Sequence, residues 1–434
     1  MSMEKARSAR FDLPFYLVLT FLLIDYGRPQ TFFPIIEALH PGWFIQSALF
    51  FCLISRGVLN LNFVQTKYFV FLLLIMVIHV PIAVNNYWAF HILRGMFLYF
   101  IVYLSIANFV DSYPKVERFI DSWIIINLVC AIVGTINGGK VPGSSFMGDE
   151  NDFALVMNMA ISFAYFMFLQ ADSFKKKLLY LSAVGVFLAA NVASLSRGGF
   201  IGLVAVGLFC WLKSPKKILS TVILLLMVAA LYLNAPPAYW DQVRSIQKEN
   251  VQEGTGAARW YTWKCGWRMF LDYPVIGVGQ GNFPFRFGEY EPPEGIYGGG
   301  IYGYKSYAGR AAHSIYFTLL PELGTVGTIL FFSLLYYSLR DMKVILKAEK
   351  THRVSKIQSE TEKDVREKLK KLKHIILGVQ GALISYLISG IFLSQLYHPH
   401  FWLLVAFSLA IANVGKRYSL AVANVGKRYS QCQT

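Results

Sequence analysis

The sequence predicts an all-α polytopic membrane protein with about twelve transmembrane helices. The chain has 434 residues, of which 55% are hydrophobic, and a mean hydropathy of +0.46. Apolar runs of about 20 residues, the length that crosses the hydrocarbon of a bilayer, recur along the whole chain. Because backbone groups in lipid must find hydrogen bonds within the chain, such continuous runs form helices.

The twelve predicted spans lie near residues 13–27, 38–55, 68–85, 88–110, 119–137, 152–170, 178–195, 197–213, 217–235, 313–339, 375–396 and 399–415. The first two are interrupted by Asp25, Arg28 and several prolines. Lys5, Arg7 and Arg10 precede the first run, but no small-residue cleavage site follows it. We therefore expect the first span to be retained rather than removed as a signal peptide.

The formal net charge of +16 is distributed unevenly along the chain. With the N-terminus in the cytoplasm, the predicted inner segments contain 29 of the 41 lysines and arginines. The short outer loops contain only Arg28, Lys140 and Arg197. This asymmetry follows the positive-inside rule and predicts cytoplasmic N- and C-termini. The charge therefore indicates topology, and no nucleic-acid partner is needed to explain it.

The same topology divides the chain into six segments. Residues 1–235 contain helices one to nine, 236–312 form a long periplasmic loop, 313–339 form helix ten, 340–374 form a charged cytoplasmic loop, 375–415 contain the last two helices, and 416–434 are a cytoplasmic tail. The Lys- and Glu-rich loop at 340–374 is predicted to be a solvated helical linker without chemistry. The octapeptide ANVGKRYS occurs at 412–419 and again at 423–430, and we assign no function to this duplication.

Metal and disulfide motifs are absent from the sequence. It contains no CxxC and no HExxH, and only Cys265 reaches the outer face, so no disulfide is predicted there. Asp149, Glu150 and Asp152 in GDENDFA offer the carboxylates that hold a divalent ion. We favour the alternative that this cluster caps the sixth span, with Asn151 and Asp152 as the capping residues. No metal and no cofactor are therefore predicted.

The stretch SLSRGG at 194–199 places Arg197 where a predicted span begins at the outer face. Free backbone N–H groups at a helix N-terminus attract anions, and a guanidinium suits bidentate contact with phosphate. Gly198 and Gly199 let a large ligand approach the backbone, and Ser196 offers a further hydrogen bond. The simpler interpretation is a snorkelling arginine that marks the membrane edge.

The long loop adds cationic and aromatic side chains next to a histidine. Arg259 and Arg268 alternate with Trp and Tyr, Arg310 and Lys305 follow, and His313 lies where the loop returns to the membrane. Aromatic residues with arginines suit either an interfacial helix on the membrane or a groove for sugar rings beside cations for phosphate. A neutral imidazole is a common general base. The Gly- and Tyr-rich run at 292–310 is either a lid or a plain surface loop.

Three motifs together resemble the O-antigen ligase and polymerase superfamily. They are SLSRGG, then GAARWYTWKCGWRMFLDYPVIGVGQGNF, then GRAAHSIYFTLLPELGTVGTILFF, and they occur in the order that is typical of the superfamily. FMGDENDFALVMNMA, ahead of the sixth span, is similar to a further stretch often found there. The motifs cover roughly residues 145–340, whereas the first four spans agree in hydropathy alone.

The resemblance implies a function and a site. Its ligases are multi-pass enzymes of the bacterial inner membrane with a periplasmic active site. They transfer a glycan from undecaprenyl pyrophosphate to a sugar hydroxyl of lipid A–core, with inversion and without a metal. On this chain Arg197 and Arg259 would hold the pyrophosphate and His313 would activate the acceptor. Arg268 and Arg310 are further candidates for binding the substrate.

Other functions stay open at this stage. A repeat-unit polymerase or a protein O-oligosaccharyltransferase of the same superfamily differs from a ligase only in its acceptor. A polysaccharide transporter would favour broken or charged helices near the bilayer midplane and inverted repeats. Most predicted spans carry no charge and the two halves show no clear similarity. Arg94, within the fourth span, is an exception, since a charge at that depth needs a partner or a function.

Overall fold

The computed structural model describes residues 11–59, 61–248, 255–291, 309–354 and 360–431. These residues form α-helices and short helical turns, and the described part contains no strand. The α-helices are α1 Leu13–Leu22, α2 Pro29–Phe32, α3 Pro34–Ala38, α4 Pro41–Ser55, α5 Val64–Ile82, α6 Asn86–Phe109, α7 Tyr113–Ile136, α8 Glu150–Gln170, α9 Phe174–Ala193, α10 Arg197–Lys213, α11 Lys217–Asn234, α12 Pro237–Lys248, α13 Thr255–Asp272, α14 Phe283–Arg286, α15 Ile315–Val354, α16 Glu360–Ser389 and α17 Pro399–Gln431. The prediction of an all-α polytopic membrane protein is confirmed.

Seven helices in the described part are long and apolar enough to cross a membrane, namely α5, α6, α7, α8, α9, α15 and α16. The stretches Leu13–Gly27, Pro41–Ser55 and Lys217–Leu226 are apolar but shorter. The two remaining predicted spans, 197–213 and 399–415, coincide with α10 and with the first half of α17. The first span is short because a π-turn at Leu23–Gly27 follows α1 and Arg28 then takes a left-handed backbone with φ 48°.

Helix α8 is the centre of the bundle, since 83% of its most apolar stretch is buried. It packs against α9, α10 and α16. Glycines allow the closest approaches: a side chain at Gly381 of α16 would collide with Ser162 of α8, and one at Gly199 of α10 would collide with Ala154 of α8. In lipid, helices gain no hydrophobic energy from associating with each other. Small residues at these crossings let the backbones approach closely, and the van der Waals contacts stabilise the packing.

The turns that lead into α6, α8, α10, α15 and α17 gather at one end of the bundle, called here the His313 end. Arg28 donates a hydrogen bond to the Gly143 carbonyl at 3.0 Å, and Tyr26 is 2.9 Å from His400 Nδ1. In the loop between α7 and α8, Gly139 has φ 85° and lies against the backbone of Ser194, where a residue with a Cβ would not fit. The loops at this end therefore contact one another through side-chain and backbone groups.

The segment 274–283 is attached by hydrogen bonds to the α5–α6 pair and to α15. The buried Gln280 amide donates to the carbonyls of Met76 and Ala89, both at 2.9 Å. The buried Glu322 carboxylate of α15 accepts from the backbone N–H groups of Gly281 at 2.7 Å and Phe283 at 3.0 Å. The segment is thus held between the α5–α6 turn and α15.

Helix α15 departs from regular geometry where this segment docks. Gly324 has φ 61° and ψ −166°, and this conformation breaks the helix. The freed N–H groups of Thr325 and Val326 donate to the carbonyls of Pro274 and Val275, at 2.8 and 3.0 Å. Backbone groups released by the break therefore find partners in the segment, as a low-dielectric environment requires.

The predicted cytoplasmic loop at 340–374 is largely helical. Helix α15 continues to Val354 and α16 begins at Glu360, so both helices extend beyond the apolar spans. Lys373 and Glu349 join the two extensions at 3.3 Å. Lys416 of α17 reaches Asp341 at 3.5 Å, which places the start of the predicted tail beside α15.

We expect Gly277→Ala to destabilise the protein more than Gly57→Ala. Both glycines have a left-handed backbone, with φ 80° and 60°, which costs a residue with a Cβ about 1–2 kcal/mol. At Gly277 an added methyl would also lie 2.5 Å from the carbonyl carbon of Glu322, whereas Gly57 faces open space. Thermal unfolding of the purified variants measures the difference. Equal losses of stability would show that the docked segment yields to the clash.

Candidate active site

The start of α10 presents Arg197 at the His313 end. Ser196 is the N-cap, and its Oγ accepts the Gly199 N–H at 2.9 Å. The preceding Leu195 has φ 51°, which turns the chain sharply out of α9. Arg197 is therefore the first residue of the helix and its side chain is half-buried. The helix N-terminus and the guanidinium offer two independent attractions for an anion.

A hydrogen bond joins the start of α10 to the start of α8. Ser196 Oγ donates to Asn151 Oδ1 at 2.6 Å. The cap of α8 is Asp149, whose carboxylate accepts the Asn151 N–H at 2.8 Å. The prediction that Asn151 and Asp152 cap this helix is wrong. Asp149 precedes the first turn and takes the capping role, so the Asn151 side chain is available to hold Ser196.

Two buried asparagines connect α8, α9 and α10 next to the hydrogen bond between Ser196 and Asn151. Asn158 of α8 donates to the Gly199 carbonyl at 2.9 Å, and Asn191 of α9 donates to Asn158 Oδ1 at 3.0 Å. Both asparagines are fully buried. A buried polar chain of this kind fixes the relative positions of α8, α9 and α10, because any displacement would leave amide groups without partners.

Arg259 of α13 approaches the start of α10 through Phe392. Its guanidinium carbon lies 5.7 Å from the centre of the Phe392 ring, within the range of a cation–π contact. The same phenylalanine faces Gly198, where an added methyl would be 3.7 Å from its Cβ. One aromatic ring therefore has Arg259 and the first turn of α10 as neighbours.

His313 lies two residues before the start of α15, in a strained conformation. Its φ is 48°, the left-handed region that is uncommon for residues other than glycine. The Trp263 indole N–H donates to the carbonyl of Ala312 at 3.0 Å, and the Trp263 ring stacks on Phe317 with 5.1 Å between centroids. Contacts on both sides of His313 thus hold its backbone in place, and its imidazole is exposed.

Charged neighbours bias the protonation of His313. Partial desolvation lowers the pKa of its imidazole, the Arg259 and Arg310 guanidinium groups lower this pKa further, and the Asp149 carboxylate raises it. The net pKa lies below the ordinary value of 6.5. The lowered pKa favours the neutral imidazole at pH 7, which is the form that can accept a proton. These interactions also place Arg259, Arg310 and Asp149 around His313.

Arg268 lies on a different surface of α13. It is exposed and lines an apolar groove of about 320 Å³ together with Lys264. The remaining lining residues are aromatic: Trp260, Trp263, Trp267 and Phe317. These α13 positions recur at helical spacing and form one face of the helix. The structure thus separates Arg259, which faces Phe392, from Arg268, which faces the groove, and Trp263 is the residue that both environments share.

The carboxylates of GDENDFA serve the helix start in this structure. Asp149 caps α8, and Glu150 pairs with Lys140 at 3.6 Å. Within the described ranges, no group of three His, Cys, Asp or Glu side chains is arranged to hold a metal ion. Lys305 and most of the Gly- and Tyr-rich run lie outside the described residues.

Sequence patterns alone did not indicate that four residues help to build the site: Asn151, Trp263, Phe392 and the buried Asn158. Trp263 follows Arg259 by four positions, a spacing that puts both on neighbouring parts of one helix surface. Phe392 has no such signal, because it lies about 80 residues after His313 in the chain.

The fold and the site define an integral membrane protein with an exposed histidine near two arginines at one end of its helical bundle. Residues 181–332 match the family model of the O-antigen ligases. This match confirms the resemblance to the O-antigen ligase and polymerase superfamily. The matched range includes Arg197, Arg259, Arg268, Arg310 and His313. Members of this family are glycosyltransferase-like enzymes. A comparison with curated proteins gives no match to this chain.

We expect Arg259→Gln to raise the pKa of His313 towards its ordinary value. The Arg259 guanidinium disfavours the imidazolium, so its removal makes protonation easier and reduces the neutral fraction at mildly acidic pH. NMR titration of ¹³C-labelled histidine in wild type and variant measures this change. Lys264→Gln, a loss of charge on the same helix but in the groove, is the matched control. An unchanged or lower pKa in Arg259→Gln would contradict the proximity of the two groups.

Proposed function

We propose that this protein is a glycosyltransferase that moves a glycan from undecaprenyl pyrophosphate to a hydroxyl of an acceptor. The observation that carries the proposal is the placement of Arg259 and His313 around two aromatic rings, at the end of the bundle where α10 begins. Arg259 lies over the Phe392 ring, and Trp263, which is next to that ring, donates to the carbonyl that precedes His313. A lipid-linked pyrophosphate has its charged group at the membrane interface, the depth that suits a helix N-terminus at the end of a transmembrane bundle. The match to the O-antigen ligase family supports the same reaction class.

The proposed reaction assigns a role to each side chain. His313 accepts the proton of the acceptor hydroxyl as its oxygen attacks the anomeric carbon of the donor sugar. The bond from that carbon to the pyrophosphate oxygen breaks, the electron pair leaves with undecaprenyl pyrophosphate, and the attack from the opposite face inverts the configuration. Arg197, Arg259 and the N–H groups of α10 stabilise the charge that develops on the leaving pyrophosphate.

Ser196 and Arg310 have supporting roles in this scheme. The Ser196 hydroxyl donates to Asn151 and accepts from Gly199, so it orders the first turn of α10 rather than reaching into the site. Arg310 lies close enough to His313 to affect its protonation and is exposed to incoming substrate. It is therefore a candidate for contact with the donor pyrophosphate or with an acidic acceptor.

The preferred acceptor is the lipid A–core of an O-antigen ligase, at the periplasmic face of the bacterial inner membrane. A repeat-unit polymerase and a protein O-oligosaccharyltransferase use the same chemistry with a different acceptor. A polysaccharide transporter is less favoured, because the arginines of the site lie at helix ends and loops rather than on broken helices at the midplane. Product analysis separates these possibilities.

We expect His313→Ala to reduce glycan transfer by roughly 10²–10⁴-fold, the usual contribution of a general base. Arg197→Ala should reduce it by roughly 10²–10³-fold, as for other groups that stabilise developing charge. The assay uses purified protein reconstituted with an undecaprenyl-pyrophosphate glycan and lipid A–core. Transfer should persist in EDTA, since the proposed charges come from arginines.

Lys140→Ala is the matched control, because Lys140 is a cation at the His313 end that pairs with Glu150. It should retain full transfer. Wild-type rates in both His313→Ala and Arg197→Ala would refute the site. Ladders of lengthening lipid-linked glycan would identify a polymerase, and a glycosylated protein would identify an oligosaccharyltransferase.

We expect the aromatic groove on α13 to bind saccharide rings next to the reacting centre. Trp267 is 47% exposed and lines the groove, whereas Leu271 is 57% exposed one turn further along and does not. Trp267→Ala should raise the KM for the glycan several-fold, since an aromatic contact contributes about 1 kcal/mol beyond its buried area. Leu271→Ala should leave KM unchanged. Equal effects of both variants would indicate that this face of α13 only contacts lipid.

A further inference from the structure

Arg94 is an exposed cation on a helix that is long enough to span the membrane. It is the ninth residue of α6, which has 24 residues and begins at the His313 end. At about 1.5 Å per residue its Cα lies roughly 12 Å along the helix from the first residue. The hydrocarbon is about 30 Å thick, so the Cα of Arg94 lies within the half of the bilayer next to the candidate active site.

The Arg94 side chain extends towards the headgroups on that side of the bilayer. Side chains on an α-helix tilt towards the N-terminus, and the two partners of Arg94 lie in that direction. The guanidinium is 3.2 Å from His91 Nδ1, one turn earlier on α6. It also lies 5.1 Å from the ring of Trp43, the third residue of α4. The charge is thus held close to the interface by an imidazole and an indole.

Exposed aromatic side chains lie next to Arg94 or to its partner His91. Trp43 is 50% exposed, Trp88 is 42% exposed and Tyr87 is 70% exposed. The His91 ring stacks on Tyr87 with 6.1 Å between centroids and meets the edge of Trp88 at 5.4 Å. Trp and Tyr prefer the headgroup level of a bilayer. We call Arg94, His91, Trp43, Trp88 and Tyr87 the Arg94 cluster.

The Arg94 cluster lacks a negative charge. None of the ion pairs within the described ranges involves Arg94, and the hydrogen bond to His91 leaves the guanidinium charge uncompensated. A permanent charge at this depth requires an anion, because an unpaired charge in a low dielectric is costly. The bilayer supplies phosphates at this level, and a guanidinium binds phosphate with two parallel hydrogen bonds.

We propose that the Arg94 cluster binds the phosphate of an anionic phospholipid in the leaflet next to the active site. Arg94 donates to the phosphate oxygens, and the rings of Trp43 and Trp88 contact the glycerol and the upper acyl chains. A lipid rather than a free phosphate is the expected ligand, because the cluster faces the hydrocarbon and three of its five members are amphipathic aromatic residues. This assignment is independent of the glycosyltransferase reaction.

The test measures the phospholipid retained by purified protein in neutral detergent. Wild type and Arg94→Gln are incubated with phosphatidylglycerol or with phosphatidylcholine, separated from free lipid and analysed by mass spectrometry. We expect wild type to retain phosphatidylglycerol in preference. Arg94→Gln should retain about ten-fold less of it, in line with the loss of a charge-assisted hydrogen bond. Arg94→Lys, which keeps the charge but not the planar donor pair, should lie between the two.

Arg118→Gln is the matched control, since Arg118 also lies over an aromatic ring, 5.8 Å from that of Phe11, but at the opposite end of the bundle. It should retain the lipid as wild type does. Three results would overturn the proposal: equal retention by Arg94→Gln, equal retention of phosphatidylcholine by wild type, or displacement of the lipid by inorganic phosphate. If Arg94→Gln aggregates, Trp43→Leu keeps the charge and should still lower retention, and unchanged retention there would also overturn it.

Discussion

The hydrogen bond between Ser196 and Asn151 joins the first turns of α10 and α8, and the geometry of the candidate site depends on it. A helix that begins inside a membrane protein leaves several backbone N–H groups without partners. Ser196 satisfies one at α10 and Asp149 satisfies one at α8, while Asn151 links the two caps. The hydrogen bonds that stabilise these two helix ends therefore also hold the first turn of α10, with Arg197, next to the first turn of α8.

At His313 the backbone is strained, and contacts with neighbouring residues keep it in that conformation. His313 has a left-handed backbone, as does Leu195 ahead of α10, and such conformations cost of order 1–3 kcal/mol each. At His313 the indole of Trp263 fixes the preceding carbonyl. Directly after it, the buried Ser314 carbonyl accepts the Thr318 N–H at the start of α15. Hydrogen bonds on both sides of His313 therefore keep its strained backbone in one conformation.

Hydropathy predicted where the helices lie, because a long apolar run has few alternatives in a bilayer. It could not predict that α15 breaks at Gly324, since that break depends on the distant segment 274–283. The resemblance to the O-antigen ligase and polymerase superfamily placed Arg197, Arg259 and His313 in one hypothesis, and Arg259 and His313 do lie within electrostatic reach. The sequence could not tell whether Arg259 or Arg268 lies near His313, because both flank tryptophans on α13. The structure places Arg259 over Phe392 and Arg268 in the aromatic groove. The cap of α8 was assigned to the wrong residues because Asp149, Asn151 and Asp152 are all good N-caps.

The docking of segment 274–283 has a consequence for biosynthesis. Gln280 needs carbonyls from the α5–α6 turn, made about 190 to 200 residues earlier in the chain. Glu322, made 41 residues after Gly281, closes the segment from the other side. Phe392, the ring next to Arg259, is made later still. The first helices are therefore made long before the candidate site is complete, and a partly synthesised chain lacks that site.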